Sequence, residues 1–275
     1  MNAPTPLTLP SQPRTRGTGR LSTRLAGGRT RIGTLYQQGS FKILFPGTPG
    51  PALEAVTLNT SGGLTGGDRI GFEAEAGQGT ALTLSTQAAE RAYGSRDPEP
   101  ARMRTSLTAR EGAALHWLPQ ETILYQHCDL DRRLRVDLAE DAVFLGMETL
   151  VFGRRAMGER LTEARLADRW DIRRGGDRVF ADALRLEGDV AARLADPFGA
   201  RGAGAMATLV YAAPDAEAHL DALREALPAP SGVSLLREGL LAARLLAEDA
   251  YALRRLALPC LTRLARGPMP KVWRL

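Results

Sequence analysis

Phe41-Lys42-Ile43-Leu44-Phe45-Pro46-Gly47 sets apolar residues at 41, 43 and 45, puts Lys42 and Leu44 between them, and closes on a Pro-Gly pair. A period of two ended by a turn describes a strand, because successive side chains along a strand point to opposite faces. The pattern recurs down the chain. Leu82 and Leu84 alternate with Thr83 and Ser85; Met103, Thr105 and Leu107 with Arg102, Arg104, Ser106 and Thr108; Leu134, Val136 and Leu138 with Arg135 and Asp137. Trp170 and Ile172 stand between Arg169, Asp171 and Arg173, and Leu184 and Leu186 precede Glu187-Gly188. Short strands separated by turns indicate a mainly β body.

A helical period enters only near the C-terminus. Pro214-Asp215 opens a segment in which Ala216, Leu220, Leu223 and Leu227 share one face, and Pro228 closes it. Val233 to Leu246 predicts a hairpin turning at Arg237-Glu238-Gly239. Asp249 then caps a second helix, whose Leu253, Leu256, Cys260, Leu261 and Leu264 form an apolar stripe interrupted by Pro259. Cys260 therefore reads as core.

With 275 residues, 44% of them hydrophobic, the chain can bury a sizeable core. Met1 to about Gly28 is rich in Pro, Thr, Arg and Gly without apolar periodicity, so it reads as a disordered basic extension. The expected division is an extension over residues 1–30 and one domain over residues 31–275. The net charge of +5 sits largely at this end: Arg14, Arg16, Arg20, Arg24, Arg29, Arg31 and Lys42 face no acid before Glu54. The remainder is slightly acidic, which argues against a nucleic-acid-binding body. Cys128 and Cys260 lie in unlike contexts and form no CxxC pair, so they read as free thiols in a reducing compartment. No apolar run is long enough for a spanning helix and no leader pattern opens the chain, which predicts a cytoplasmic protein without a membrane partner.

Leu58-Asn59-Thr60-Ser61-Gly62-Gly63-Leu64-Thr65-Gly66-Gly67-Asp68 carries four glycines in eleven residues, a backbone built to turn sharply or approach another group closely. As a phosphate cradle over residues 59–68 it would make the chain a nucleotide-binding enzyme. A P-loop, however, follows its last glycine with Lys and then Ser or Thr, and here Asp68 follows. The competing reading is a strand-connecting turn with Asp68 accepting hydrogen bonds from the loop backbone. No GxSxG, HExxH or CxxC motif is present. His127-Cys128-Asp129 cannot converge on one ion from a strand, whose consecutive residues face opposite ways. Glu90, Glu121, Glu148 and Glu159 each sit in a segment of distinctive composition, and carboxylates along a wet interior path suit a hard or borderline divalent cation.

Taken in order, Asn59 to Asp68, Thr86-Gln87-Ala88-Ala89-Glu90, Trp117-Leu118-Pro119-Gln120-Glu121-Thr122, Phe152-Gly153-Arg154 and Pro270-Lys271-Val272-Trp273 resemble the urease accessory protein UreD family, called UreH in some organisms. The resemblance covers roughly Arg31 to Leu275, with Ser61 where Ala is expected and Lys271 where Arg is expected. It implies layered β-sheets in a helical, solenoid-like arrangement with two α-helices near the C-terminus. It also implies a non-enzymatic maturation scaffold that binds apo-urease and UreF, which recruits the GTPase UreG, so that nickel reaches a buried urease site where a carbamylated lysine bridges two nickel ions. No tightly bound cofactor is expected, only nickel in transit through a water-filled passage. Asp68, Glu90, Glu121, Glu148 and Glu159 are the candidate passage acids, and the C-terminal helices with Pro270, Lys271, Val272 and Trp273 the candidate UreF surface. An all-β binding module for a different assembly is the remaining alternative.

Overall fold

The computed structural model describes residues 13–47, 50–95, 98–265 and 267–273. The chain opens with β1 (Arg16–Ala26), β2 (Arg29–Gly39), β3 (Phe41–Leu44), β4 (Leu53–Asn59) and β5 (Arg69–Ala76). It continues through β6 (Ala81–Thr86), β7 (Glu90–Ala92), β8 (Ala101–Ala109), β9 (Ala114–Leu118), β10 (Thr122–Leu124), β11 (Asp129–Leu138) and β12 (Val143–Phe152). Then follow β13 (Ala164–Arg174), β14 (Asp177–Gly188), α1 (Val190–Ala195), β15 (Ala205–Ala212), α2 (Leu220–Ala226), β16 (Gly232–Arg237), β17 (Leu240–Ala247) and α3 (Ala250–Leu264).

Two sheets share these strands. One runs β14-β13-β11-β8-β5-β1-β2 and the other β16-β17-β15-β12-β9-β6-β4-β3. From β4 to β13 the chain alternates between them, and the successive visits to each sheet pair in parallel: β5 with β8 and β8 with β11, β4 with β6, β6 with β9 and β9 with β12. That is a two-sheet β-solenoid. Antiparallel pairings close its ends, β1–β2 and β3–β4 at one side and β13–β14 and β12–β15 at the other. Paired strands in register place side chains of one face in a row, so one inward rung runs Gly17, Ile70, Met103, Arg132, Asp168 and Leu184.

The apolar core lies between the sheets, with Phe41, Phe72, Leu107, Leu134, Val136 and Phe144 among its members. A second core lies on the outer face of the longer sheet, where Leu145, Leu209 and Leu245 meet Leu223 of α2, Leu253 and Leu261 of α3, and Trp273. The middle of that sheet is therefore covered on both faces. All eight residues of β15 are buried, and so are nine of the ten in β12.

The alternating runs at residues 41–44, 82–85, 102–108, 134–138, 169–173 and 184–186 are all strands, with Phe45 just beyond the end of β3, and the 233–246 hairpin and both C-terminal helices form. Helix α3 continues through Pro259, and Cys260 is core, its thiol 3.4 Å from Leu256 O. The expected disorder over residues 1–30 needs correction from residue 16 onward, where β1 and the start of β2 are ordered strands; residues 1–12 lie outside the described residues. The reason is visible in the inward face of β1, which is Gly17, Gly19, Leu21 and Thr23. A Cβ on Gly19 would lie 2.4 Å from the Phe41 ring, so a glycine there lets the strand lie against the core. Helix α1 has no counterpart in the sequence reading; Asp189 caps it by accepting from Ala192 N at 2.8 Å.

Candidate functional site: a charge-lined cavity between the sheets

The glycine-rich stretch, the Thr86–Glu90 stretch and the Trp117–Thr122 stretch meet at a cavity of about 260 Å³. Its mouth is formed by Gly62, Gln87, Ala88 and Arg91, which are exposed, and its floor by Trp117, Arg132 and Glu148, which are buried. One wall comes from β5, β8 and β11 (Ile70, Met103, Thr105, Arg132), the other from β4, β6, β9 and β12 (Thr57, Thr86, Trp117, Glu148). The mouth is fixed by side-chain to backbone bonds: Gln120 N donates to Thr86 Oγ1 at 2.9 Å, and Thr86 Oγ1 to Ala88 O at 3.1 Å.

The floor is ionic. Arg132 grips Asp168 with two parallel bonds, Nε to Oδ1 at 2.9 Å and Nη2 to Oδ2 at 2.7 Å, the forked geometry that suits a guanidinium to a carboxylate. Its Nη1 donates to Thr122 Oγ1 at 3.2 Å. Glu148 accepts from Trp117 Nε1 at 2.9 Å through Oε1, while Oε2 lies 3.4 Å from Arg132 Nη2 and makes no hydrogen bond. The Trp170 indole approaches the same carboxylate, yet its Nε1 also lacks a partner. Burial pushes the Glu148 carboxyl up; Arg132 opposes that push and Asp168 adds to it. Burial works against the Arg132 charge too, but Asp168 and Glu148 outweigh it and hold the guanidinium protonated. Near the mouth, burial raises Glu90, against its hydrogen bonds from Arg91 N at 2.9 Å and Asn59 Nδ2 at 3.1 Å.

Of the five candidate acids, the cavity gathers Glu90 and Glu148. Asp68 closes the glycine-rich loop instead, accepting from Thr15 N at 2.7 Å and Thr65 N at 2.8 Å. Glu159 holds the turn at residues 154–158, paired with Arg154 at 3.0 Å and accepting from Arg154 N and Gln126 N. That pairing lowers its carboxyl. Glu121 is half-buried outside the cavity lining, and its carbonyl accepts from Glu90 N at 2.9 Å. The loop's own N–H groups at Ser61, Leu64, Thr65, Gly67 and Asp68 bond within the protein, which takes them out of reach of a phosphate.

Of residues 270–273, Pro270 and Trp273 are buried, Val272 is half-buried and Lys271 is exposed. Trp273 Nε1 donates to Leu118 O at 2.8 Å, and Arg254 lies 4.8 Å over its ring while donating to Gln120 Oε1 and Val272 O, both at 2.8 Å. The tail is thus stapled behind a residue of the cavity wall. His127 and Cys128 border a separate open cleft of about 760 Å³. Cys128 is buried, and burial pushes its thiol up to about 12. Among the described residues, no three His, Cys, Asp or Glu side chains are placed to hold a metal ion together.

Arg132 and Asp168 are the functional candidates that motif reading missed. Both betray themselves by parity: Arg132 shares the inward set with Leu130, Leu134 and Val136, and Asp168 with Leu166, Trp170 and Ile172. A charged residue at an inward position of an alternating strand is the available signal.

The fold is that of a two-sheet β-solenoid with a cavity between its sheets that has an ionic floor. The family model of the UreD urease accessory protein matches residues 15–274, and the chain belongs to that family. It is similar to the urease accessory protein UreD of Ruegeria pomeroyi, 50% identical over 253 residues that span 92% of this chain and 98% of the relative. The UreD of Roseobacter denitrificans is 46% identical over 275 residues, 100% of this chain and 99% of the relative, and that of Brucella suis 47% identical over 264 residues, 94% of each. Family membership assigns the chain a role in urease maturation. No helix among the described residues is long and apolar enough to cross a membrane.

Proposed function

We propose that this protein is a non-catalytic scaffold that receives nickel within a complex with UreF and UreG and passes it, through the cavity between its sheets, toward apo-urease. The observation that carries the reading is Glu148: a buried carboxylate on the floor of the cavity, whose Oε2 makes no hydrogen bond and is held only by the 3.4 Å ion pair to Arg132. An oxygen-donor wall suits a cation that must be released again, because thiolates or paired imidazoles hold nickel too firmly to pass it on. Thr122, Gln120 and Glu90 line the same cavity and supply further oxygen donors.

The face proposed for UreF is the outer side of α3, where Tyr251, Arg255 and Arg263 are exposed, together with Lys271. Pro270 and Trp273 support that face from beneath. Work in the cytoplasm fits this role, since nickel is handed on inside the cell.

The test is nickel per urease active site in cells that express the full urease cluster with and without this chain. Urease that assembles but stays nickel-poor on deletion, and regains metal and activity on restoration, supports the proposal. Unchanged metal content overturns it.

A further inference from the structure

We infer that Arg132 is an internal counter-ion that keeps the cavity's carboxylate site weak for divalent cations, so that a cation entering it is not trapped. The inference rests on the delivery reading above and adds to it the reason the cargo leaves. Glu148 and Asp168 converge on one atom, Arg132 Nη2, at 3.4 and 2.7 Å. All three side chains are nearly inaccessible, between 4% and 9% exposed.

Without a cation between them, two buried carboxylates in this position would be a tight oxygen-donor site for any divalent ion, since charge count and rigidity set the affinity of such sites. Arg132 removes that possibility in two ways. It occupies the position that a bridging metal would take, and its charge cancels part of the attraction across the low-dielectric interior. The division of its bonds is unequal. Asp168 receives the two-pronged grip, and Glu148 Oε2 only the longer 3.4 Å ion pair, with no hydrogen bond. A single half-neutralised carboxylate, backed by Thr122 and Gln120, offers an arriving cation one ligand and leaves water to complete its shell. That is a resting place with fast exit.

The local reporter is built in, because the Trp117 indole donates to the same carboxylate. A paramagnetic nickel ion at Glu148 broadens the Trp117 indole N–H resonance of the full-length chain labelled with 15N-tryptophan, assigned with Trp117→Phe. With nickel chloride as the probe, the wild-type protein should show weak, fast-exchanging broadening at Trp117. Arg132→Met should bind one nickel at this position at least tenfold more tightly, and adding Glu148→Gln should abolish that gain. Asp168→Asn, which keeps the shape and leaves Arg132 free to pair with Glu148, should weaken the broadening at least tenfold. This second variant brings the trio's formal charge from −1 to zero and decides the matter if Arg132→Met does not fold.

Unchanged affinity in folded Arg132→Met, or in Asp168→Asn, overturns the counter-ion role while leaving delivery standing. No broadening at Trp117 in any form, at nickel concentrations that load urease, overturns both the counter-ion role and passage through this cavity.

Discussion

Asp68 and Glu148 are equally hidden, 4% and 5% exposed, and are put to opposite uses. Asp68 sits in the loop at residues 58–68, and each of its oxygens accepts from a backbone N–H. Glu148 sits on the cavity floor with one oxygen on Trp117 and the other without a hydrogen bond. Burial alone therefore does not mark a functional carboxylate. What separates the two is how many partners remain after the fold has satisfied itself: a fully bonded carboxylate is structural, and a half-bonded one facing a cavity has capacity for a ligand.

The tail belongs on the structural side of this contrast, and it should show the largest effect. Trp273→Ala removes a buried indole and its bond to Leu118 O, and should cost about 4 kcal/mol in denaturant unfolding. A loss under about 1 kcal/mol would place Trp273 outside the core and return it to the partner surface. Asp68→Ala strands two backbone donors and should cost about 3 kcal/mol, lowering the melting temperature by roughly 6–12 °C. Glu148→Gln should change stability by less than about 1 kcal/mol in either direction, because Arg132 keeps its two-pronged pairing with Asp168 and so is not left uncompensated, and the glutamine still accepts from Trp117. If Asp68→Ala and Glu148→Gln destabilise equally, the distinction between the two acids is lost.

Smaller effects sharpen it further. Glu159 has its carboxyl lowered by Arg154, so its contribution to stability is complete above the ordinary value of 4.5 and is lost as pH falls through the lowered one. Glu90 is raised by burial, so its contribution has the opposite sign, complete below 4.5 and lost as pH rises to the raised value. Unfolding measured across mildly acid pH should show Glu159→Gln flattening the acid loss of stability and Glu90→Gln flattening the loss on the alkaline side. Equal slopes in both variants would contradict these assignments. The smallest effect concerns Cys128, whose thiol is buried and pushed up to about 12. At pH 8 iodoacetamide should leave it unmodified until the protein is denatured, and ready labelling of the native protein would place it outside the core.

Much of this architecture was legible in the sequence, and the gaps follow from physics. Strands with one face toward the inter-sheet core and the other half in solvent, such as β8 and β11, show the period of two that betrays them. β15 is buried on both faces and shows no alternation, because its outer side lies under the helices. β1 escaped for the opposite reason: its inward residues are glycine, leucine and threonine, so an apolar count finds too little. Parallel winding was not readable at all from periodicity, which reports which way side chains face and not which strand lies alongside; the family resemblance carried that expectation.

For the site, composition brought Glu90 and Glu148 forward, and the fold joined them in one cavity. It also brought forward Asp68 and Glu159, whose carboxylates serve turns, because composition cannot count partners. Arg132 and Asp168 were hidden among neighbouring charges in Arg132-Arg133 and Asp168-Arg169, and only the inward parity of their strands separates them from the exposed charges beside them.

The account turns on Glu148 as the cavity's ligand to nickel. The most direct measurement is nickel per urease active site in cells carrying the complete urease cluster with Glu148→Gln in this chain, alongside recovery of its complex with UreF. The account predicts an intact complex and assembled urease depleted of nickel. Wild-type nickel content with that variant present at normal levels would contradict it.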